Sequence, residues 1–173
     1  MSSSPVDSMP FPDLVANTIR GIAPRVVPDA YFAKGHYFTL SGKAPFSHLV
    51  YPVAGKAGLG IHLTLDTAGQ GRFGPDVQWI DDVEYSFDGA RKADFAAAIR
   101  RYYPGLDDAR LTEGYTGIRP KLCGPGADPE DFVIQGPDAN GIDGLVQLFG
   151  IESPGLTASL AIAERVAERL APG

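Results

Sequence analysis

The chain has 173 residues, a length that fits one domain or slightly more. Its formal net charge of −6 argues against nucleic acids and anionic membrane surfaces as partners, because both attract basic proteins. The 21 glycines and 15 prolines predict short elements joined by tight turns, which argues against a helix bundle.

Cysteine content and the N-terminal residues bear on the compartment. Cys123 is the only cysteine, which excludes an internal disulfide and a thiolate zinc cluster, so we expect a reducing environment. Residues 1–13 are rich in serine and proline and lack the basic and apolar regions of a targeting signal. No apolar run approaches the ~20 residues of a membrane span. We therefore predict a cytoplasmic protein without a metal site, whose residues 1–27 form a partly disordered leader.

The first half of the chain has the alternating pattern of β-strands. In residues 31–40 (YFAKGHYFTL) the period of two places four side chains on one face: Phe32, Lys34, His36 and Phe38. Residues 59–66 (LGIHLTLD) alternate as well, with the leucines facing a core and His62 on the opposite, polar face. A strand-like stretch follows at 77–80. Residues 83–87 predict a further strand with three inward side chains: Val83, Tyr85 and Phe87.

The second half predicts two helices and three further strands. A helix is expected at 88–103, and a final helix is expected with Ser153 as its N-cap and Pro154 at its first position. Apolar residues form one stripe along the final helix: Leu156, Leu160, Ala163, Ala167 and Leu170. The three strands are predicted at 111–118, 131–135 and 144–149. This order of elements predicts an α+β fold with a mixed, largely antiparallel sheet, one crossing helix and a C-terminal helix.

The segment GQGRFG at 69–74 matches the GxGxxG pattern of dinucleotide-binding proteins. That pattern works where a strand precedes it and a helix opens within it, because helical N–H groups then meet a pyrophosphate. Here Pro75 and Asp76 follow, and then another strand-like stretch. We therefore interpret the segment as a loop and predict that the chain lacks a dinucleotide-binding βαβ unit.

Three patterns could carry chemistry. Arg119 follows a strand and precedes Pro120, and arginine binds carboxylates through two parallel hydrogen bonds; a surface or salt-bridged arginine is the alternative. The glycine-flanked loop at 150–159 leads into the final helix, whose first N–H groups favour anions, unless the loop only connects packed elements. His62 could act as a general base near neutral pH, or be a structural histidine.

Seven stretches of the chain occur in the order found in one family: YFAKGHYF, PFSHLVYPV, GLGIHLTLD, RFGPDVQW, GIRPKLCGPG, DFVIQG and GLVQLFGIESPGLTASLAIAERV. Together they resemble the C-terminal half of flavin-dependent oxidoreductases of the D-amino-acid oxidase type, most closely the L-2-hydroxyglutarate dehydrogenase/oxidase branch. The resemblance covers the chain from about residue 28 to its end. The blocks GIRPKL and FGIESPGLTASLAIA are its most specific parts.

The resemblance implies FAD as the cofactor and hydride transfer from C2 of a 2-hydroxy acid to the flavin, which yields a 2-oxo acid. It implies that Arg119 binds the substrate carboxylate, and that the flavin contacts a loop containing Gly150, Ile151, Ser153, Gly155, Leu156 and Thr157. We further expect His62 to accept the hydroxyl proton and Lys34 to hold a second carboxylate. A substrate-domain portion is then expected at 28–143 and a flavin-contact region at 144–173.

The family's ADP-binding half has no counterpart in the sequence, so we expect a fragment or a truncated product that can be inactive alone. The apolar segment LVQLF and the stripe at Leu156 and Leu160 are then expected to be exposed, which favours association with a separate FAD-binding half or with another copy. Two alternatives stay open: a non-catalytic carboxylate-binding or assembly module, and an amino-acid or sarcosine-type oxidase. Both retain Arg119 as a carboxylate ligand.

Overall fold

The computed structural model describes residues 19–22, 27–53 and 60–171. Most of the predicted leader at 1–27, including all of 1–13, lies outside these residues. The chain forms two compact units. The central unit is Ala33–Ile118, and the terminal unit comprises Met1–Phe32 and Arg119–Gly173 as far as they are described. No helix in the described ranges is long and apolar enough to cross a membrane.

A five-stranded sheet supports the central unit. Its strands are β1 (Tyr31–Leu40), β2 (His62–Leu65), β3 (Gly71–Gly74), β4 (Gln78–Ile80) and β5 (Leu111–Lys121). They lie in the order β2-β3-β1-β4, and β5 also pairs with β1. Strand β3 is antiparallel to both of its neighbours, so that Phe73 lies opposite Leu63 on one side and Phe38 on the other. The predicted α+β class with a largely antiparallel sheet is confirmed.

The tight connection between β2 and β3 explains the GQGRFG segment. The Asp66 carboxylate accepts hydrogen bonds from the N–H groups of Ala68 and Gln70, each at 2.9 Å, and closes the turn. The chain then enters β3 at Gly71, so the prediction of a loop is wrong for the second half of the segment. A further strand, β4, follows at the point where a dinucleotide-binding unit would continue into its helix.

Helix α1 (Lys92–Arg100) packs against β3 and is shorter than the predicted helix at 88–103. The Asp88 carboxylate accepts a hydrogen bond of 3.0 Å from the N–H of Ala90 and starts a 3₁₀ turn that leads into α1. Phe95 and Ile99 on the inner face of α1 are fully buried. The buried core comprises Phe38, Leu40, Leu63, Phe73, Phe95, Ala96, Ile99, Leu106 and Leu111.

The strand predicted at 83–87 is wrong, because this segment has no regular structure. Side-chain hydrogen bonds hold its backbone in place of the backbone hydrogen bonds that would pair it with another strand. One of them is the hydrogen bond of 3.1 Å that the Glu84 carboxylate accepts from the N–H of Ser86. Tyr85, predicted to face inward, has about half of its surface exposed. Phe87 is half-buried and packs against the core, as predicted.

The described part of the terminal unit contains a second sheet of two strands. Strands β6 (Val133–Gln135) and β7 (Gln147–Phe149) are antiparallel and end where predicted, but each begins later. The short helix α2 (Pro137–Asn140) lies in the connection between them. Helix α3 (Ser159–Leu170) follows and contacts β6.

Helix α3 begins at Ser159, so the predicted N-cap at Ser153 is wrong. Residues 153–158 form turns, in which the N–H of Gly155 donates to the carbonyl oxygen of Glu152 at 2.5 Å. A Cβ atom at Gly155 would lie 2.6 Å from Cγ2 of Ile151, so a residue with a side chain does not fit this close approach. The turn therefore delays the helix beyond the Ser-Pro pair.

The apolar stripe around the start of α3 is exposed, as expected. Leu156 and Leu160 are 90% and 81% exposed, whereas Ile162 and Val166 are half-buried. The expected exposure of the LVQLF segment is wrong at its end, because Phe149 of β7 is fully buried.

Candidate functional site

Arg119 lies near the end of β5, in the terminal unit, and is half-buried. Within the described ranges its guanidinium makes no hydrogen bond or ion pair. A half-buried cation is stabilised when a carboxylate pairs with it, and arginine presents two parallel N–H groups for that purpose. Arg119 is therefore available to an external carboxylate, and its expected role as the substrate-carboxylate ligand stays a prediction.

The end of β5 is tied to the loop predicted to contact the flavin. The Lys121 ammonium lies 2.5 Å from the Glu152 carboxylate, and a Cβ atom at Gly150 would lie 2.7 Å from Cγ of Leu122. Because strand residues alternate between faces, Arg119 and Lys121 project to the same face, about 7 Å apart along the strand. The structure therefore brings Arg119 close to the beginning of this loop.

The loop at 150–157 is compact, and its turns present backbone to solvent. Gly150 has a φ of +65°, and Gly155 is buried in the turn that precedes α3. The hydroxyl of Thr157 donates to the carbonyl oxygen of Pro154 at 2.9 Å. A cleft of about 410 Å³ is lined by Ile151, Glu152, Ser153, Pro154, Gly155, Leu156 and Thr157.

The loop has features that fit the electron-rich edge of a flavin ring. Among the hydrogen bonds of the described residues, the N–H groups of Leu156 and Thr157 have no acceptor. Unpaired N–H groups in a cleft bind electron-rich carbonyl and ring nitrogen atoms. Helix α3 begins at Ser159, directly after this loop, so the expectation that its N-terminus faces the flavin stays a prediction. The backbone N–H groups of the loop are a second set of donors on the same segment.

His62 begins β2 in the central unit and is buried, although the alternating pattern placed it on a polar face. Its Nδ1 lies 3.0 Å from the carbonyl oxygen of Gly60, and its ring stacks on Tyr51 with 4.2 Å between centroids. A carbonyl oxygen only accepts, so Nδ1 is assigned the proton.

Lys34, on β1, is only 2% exposed and its ammonium forms an ion pair with the Glu84 carboxylate. The hydroxyl of Ser86 lies 3.5 Å from the same ammonium. Hydrogen bonding to Lys34, and then to Ser86, lowers the pKa of Glu84 to about 2. The cation expected to hold a second substrate carboxylate thus already holds a carboxylate of its own chain.

The ionisation of Glu84 gives a pH-dependent prediction. Because its folded-state pKa lies below its usual value of 4.5, the Lys34–Glu84 pair is fully formed above pH 4.5 and is lost as the pH falls through about 2. A carbon-13 titration of the side-chain carboxylates is expected to show Glu84 ionised at pH 3.5. In the Lys34→Met variant the midpoint is expected to return towards 4.5, and a wild-type midpoint near 4.5 would contradict the pairing.

A cluster of titratable side chains around His36 of β1 was not predicted from the sequence. The His36 ring is fully buried with Nδ1 3.1 Å from Oδ1 of Asp76, and the same oxygen accepts a hydrogen bond of 2.7 Å from the His36 N–H. The Arg91 guanidinium lies 2.5 Å from the other oxygen of Asp76. The sequence pattern places His36 on the same face of β1 as Phe38, which could have predicted that His36 is buried. No sequence motif predicts its contact with Asp76, because the two residues are 40 positions apart.

The profile of the family described as FAD dependent oxidoreductase (DAO) matches residues 12–169, and the chain belongs to this family. The chain is 52% identical over 167 residues to the L-2-hydroxyglutarate dehydrogenase, mitochondrial, of Arabidopsis thaliana, a match covering 90% of this chain and 35% of that protein. Among solved structures it is similar to dithionite-reduced L-α-glycerophosphate oxidase from Mycoplasma pneumoniae with FAD bound. That likeness has a TM-score of 0.71 at 19% identity, covers 92% of this chain and 40% of the other, and shows the fold.

These findings settle three of the expectations. The resemblance to FAD-dependent oxidoreductases is confirmed, and so is FAD as the cofactor of this enzyme family. The predicted cytoplasmic location is wrong, because the Arabidopsis relative is a mitochondrial protein by name. A single cysteine indicates a reducing compartment without distinguishing one such compartment from another. The chain spans about a third of the length of this relative.

Proposed function

We propose that the chain is the substrate-side, C-terminal portion of an FAD-dependent oxidoreductase that oxidises a 2-hydroxy acid similar to L-2-hydroxyglutarate. The observation that carries the proposal is the unpartnered guanidinium of Arg119 on the strand end that is tied to the loop at 150–157. The 52% identity to a dehydrogenase named for this substrate supports it. A substrate-domain portion at 28–143 and a flavin-contact region at 144–173 are part of the proposal.

In the terminal unit, Arg119 binds the carboxylate next to the reacting carbon through two parallel hydrogen bonds. The loop residues Gly150, Ile151, Ser153, Gly155, Leu156 and Thr157 would hold the flavin, with backbone N–H groups as donors. Bound FAD supplies the hydride acceptor for the C2 hydrogen of the substrate. The guanidinium fixes the orientation of the acid, which lowers the entropic part of the barrier.

In the central unit, His62 is proposed to accept the hydroxyl proton, and its buried ring is oriented by the carbonyl oxygen of Gly60. Lys34 is proposed to bind a second carboxylate, which would favour dicarboxylic over monocarboxylic hydroxy acids. Exposed Leu156 and Leu160 support the proposal that this surface associates with an FAD-binding half or with a second copy of the chain.

The test is a chimaera in which residues 28–171 replace the matching segment of the Arabidopsis L-2-hydroxyglutarate dehydrogenase. We expect the purified chimaera to contain FAD. We expect L-2-hydroxyglutarate to reduce this FAD under anaerobic conditions, which is measured as a loss of the flavin's visible absorbance. A folded, FAD-containing chimaera that L-2-hydroxyglutarate does not reduce would contradict the proposal. In that case, reduction by sarcosine or an amino acid would indicate an amine oxidase, and carboxylate binding without any reduction would indicate a binding module.

The His62→Gln variant of this chimaera is expected to lose about 10²-fold in kcat, because glutamine keeps a polar side chain but accepts no proton. The rate of anaerobic flavin reduction measures the effect. His48→Gln is the matched control, since His48 is exposed and hydrogen-bonds only locally to Ser47 among the described residues. A near-normal reduction rate in His62→Gln would remove His62 from the role of base.

A further inference from the structure

Two buried polar side chains lie next to each other on one face of β1, beneath an irregular segment. Lys34 and His36 are separated by two positions, so they project to the same face about 7 Å apart along the strand. Residues 84–87, here called the cover segment, lie over both: Glu84 and Ser86 contact Lys34, and the Phe87 ring lies 5.2 Å from the His36 ring. All of these residues belong to the central unit.

The Lys34–Glu84 pair is strongly asymmetric in exposure. The Lys34 side chain is 2% exposed, whereas the Glu84 side chain is 52% exposed and lies on a segment without helix or strand. A buried ammonium needs a carboxylate partner, because an uncompensated buried charge is strongly unfavourable. Here that partner reaches inward from the surface on a backbone that lies outside the sheet and is tied to β5 by a side chain, since the Thr116 hydroxyl donates to the carbonyl oxygen of Tyr85 at 2.8 Å. The carboxylate of a ligand that arrives from solvent can therefore replace the Glu84 carboxylate beside Lys34.

His36 gives a second, independent indication of a ligand. Its ring is fully buried, Nδ1 is held by Asp76, and Nε2 has no hydrogen-bond partner within the described part of the chain. The second oxygen of Asp76 is held by Arg91, so the orientation of the ring is fixed. A buried imidazole nitrogen without a partner is unfavourable, and it gains a partner if a ligand oxygen lies beside it.

We infer that Glu84 occupies the Lys34 part of a carboxylate-binding site whose second part is Nε2 of His36, and that a ligand carboxylate replaces Glu84 when the cover segment moves aside. The exchange leaves the charge balance unchanged, because one carboxylate leaves Lys34 as another arrives. The ligand class is a dicarboxylic acid whose distal carboxylate binds here. The inference rests on the proposed function for the identity of that acid, since Lys34 was proposed to bind the second substrate carboxylate.

Glutarate is the probe, because it has two carboxylates and cannot be oxidised as a hydroxy acid. Its binding to the full 173-residue chain is measured by calorimetry and by amide chemical shifts. Glu84→Gln is expected to bind glutarate at least ~10-fold more tightly than wild type, because the competing carboxylate is gone. Asp82→Asn is the matched control: it removes one negative charge from an exposed neighbour, and we expect a change of less than about 2-fold.

Lys34→Met is expected to abolish glutarate binding at this site, and His36→Gln to weaken it by ~5-fold or more while the Trp79 fluorescence stays native. A readout in the wild-type chain needs no substitution: near neutral pH, where Glu84 and both carboxylates of glutarate are ionised, saturating glutarate should shift the carbon-13 resonance of the Glu84 carboxylate as it leaves Lys34. The inference is overturned if Glu84→Gln binds glutarate no better than Asp82→Asn does, or if the Glu84 resonance does not respond to glutarate.

This result can be separated from the test of the proposed function. Glutarate that binds as described while the chimaera is not reduced by L-2-hydroxyglutarate would refute the oxidase function and leave the carboxylate site in place. A chimaera that is reduced normally, with Glu84 unresponsive to glutarate, would refute only the exchange at Lys34.

Discussion

Replacing Arg119 by methionine in the chimaera is expected to lower kcat/KM for L-2-hydroxyglutarate by about 10²-fold to 10³-fold. Removing one partner of a desolvated, hydrogen-bonded charge pair costs about 2–5 kcal/mol, and methionine fills similar volume without donating. The guanidinium is half-buried and unpaired among the described residues, so no carboxylate of the described chain compensates for it. Steady-state kinetics with an artificial electron acceptor measures the effect.

Two further variants make this prediction specific to bidentate carboxylate binding. Arg119→Lys keeps the charge but loses the planar pair of donors, so we expect an intermediate loss of ~10-fold or more. Arg165→Met is the matched control, because Arg165 is exposed on α3 and pairs only with Glu168 among the described residues. Wild-type kinetics in Arg119→Met would show that the substrate carboxylate binds elsewhere.

Phe38→Ala is expected to lower the free energy of unfolding of the central unit by about 3–5 kcal/mol. The Phe38 side chain is fully buried, and its ring lies 4.7 Å from that of Phe95 and 5.1 Å from that of Phe87. Truncation leaves a cavity between β1, α1 and the cover segment that these neighbours fill only in part. Urea unfolding followed by Trp79 fluorescence reports this unit, because Trp79 is the only tryptophan and lies in β4.

The control for this measurement is Leu160→Ala on α3. Leu160 is 81% exposed, so its truncation should change the free energy of unfolding by no more than about 0.5 kcal/mol. A loss below about 1 kcal/mol in Phe38→Ala would mean that the core around β1 is loosely packed, contrary to the contacts described above.

Period-two patterns predicted the sheet well, since alternation depends only on which face of a strand meets the core. The ten-residue strand β1 was predicted at its observed limits, and the strand predicted at 111–118 lies within β5. Arg119 was singled out from sequence because a family block and a strand end coincide at that position, and its role as a carboxylate ligand stays a prediction. Its lack of an internal partner was not predictable, because pairing depends on residues distant in the chain.

The errors arise where side-chain contacts override local patterns. Val83, Tyr85 and Phe87 alternate like a strand, but the contacts of Glu84 with Ser86 and Lys34 hold an irregular backbone there. The Ser153-Pro154 pair has the sequence of a helix start, but the buried turn at Gly155 delays the helix. No local rule predicts either outcome, because each depends on the tertiary surroundings of one residue.

Strand β5 continues without a break through the residues that precede Arg119. Because neighbouring residues in a strand point in opposite directions, one inserted or deleted amino acid between Leu111 and Arg119 would turn both Arg119 and Ile118 to the opposite face of the strand. A deletion would place the guanidinium in the space of the Ile118 side chain. We expect homologous chains to vary in the exposed side chains at Thr112 and Glu113, while the number of residues in this stretch stays constant.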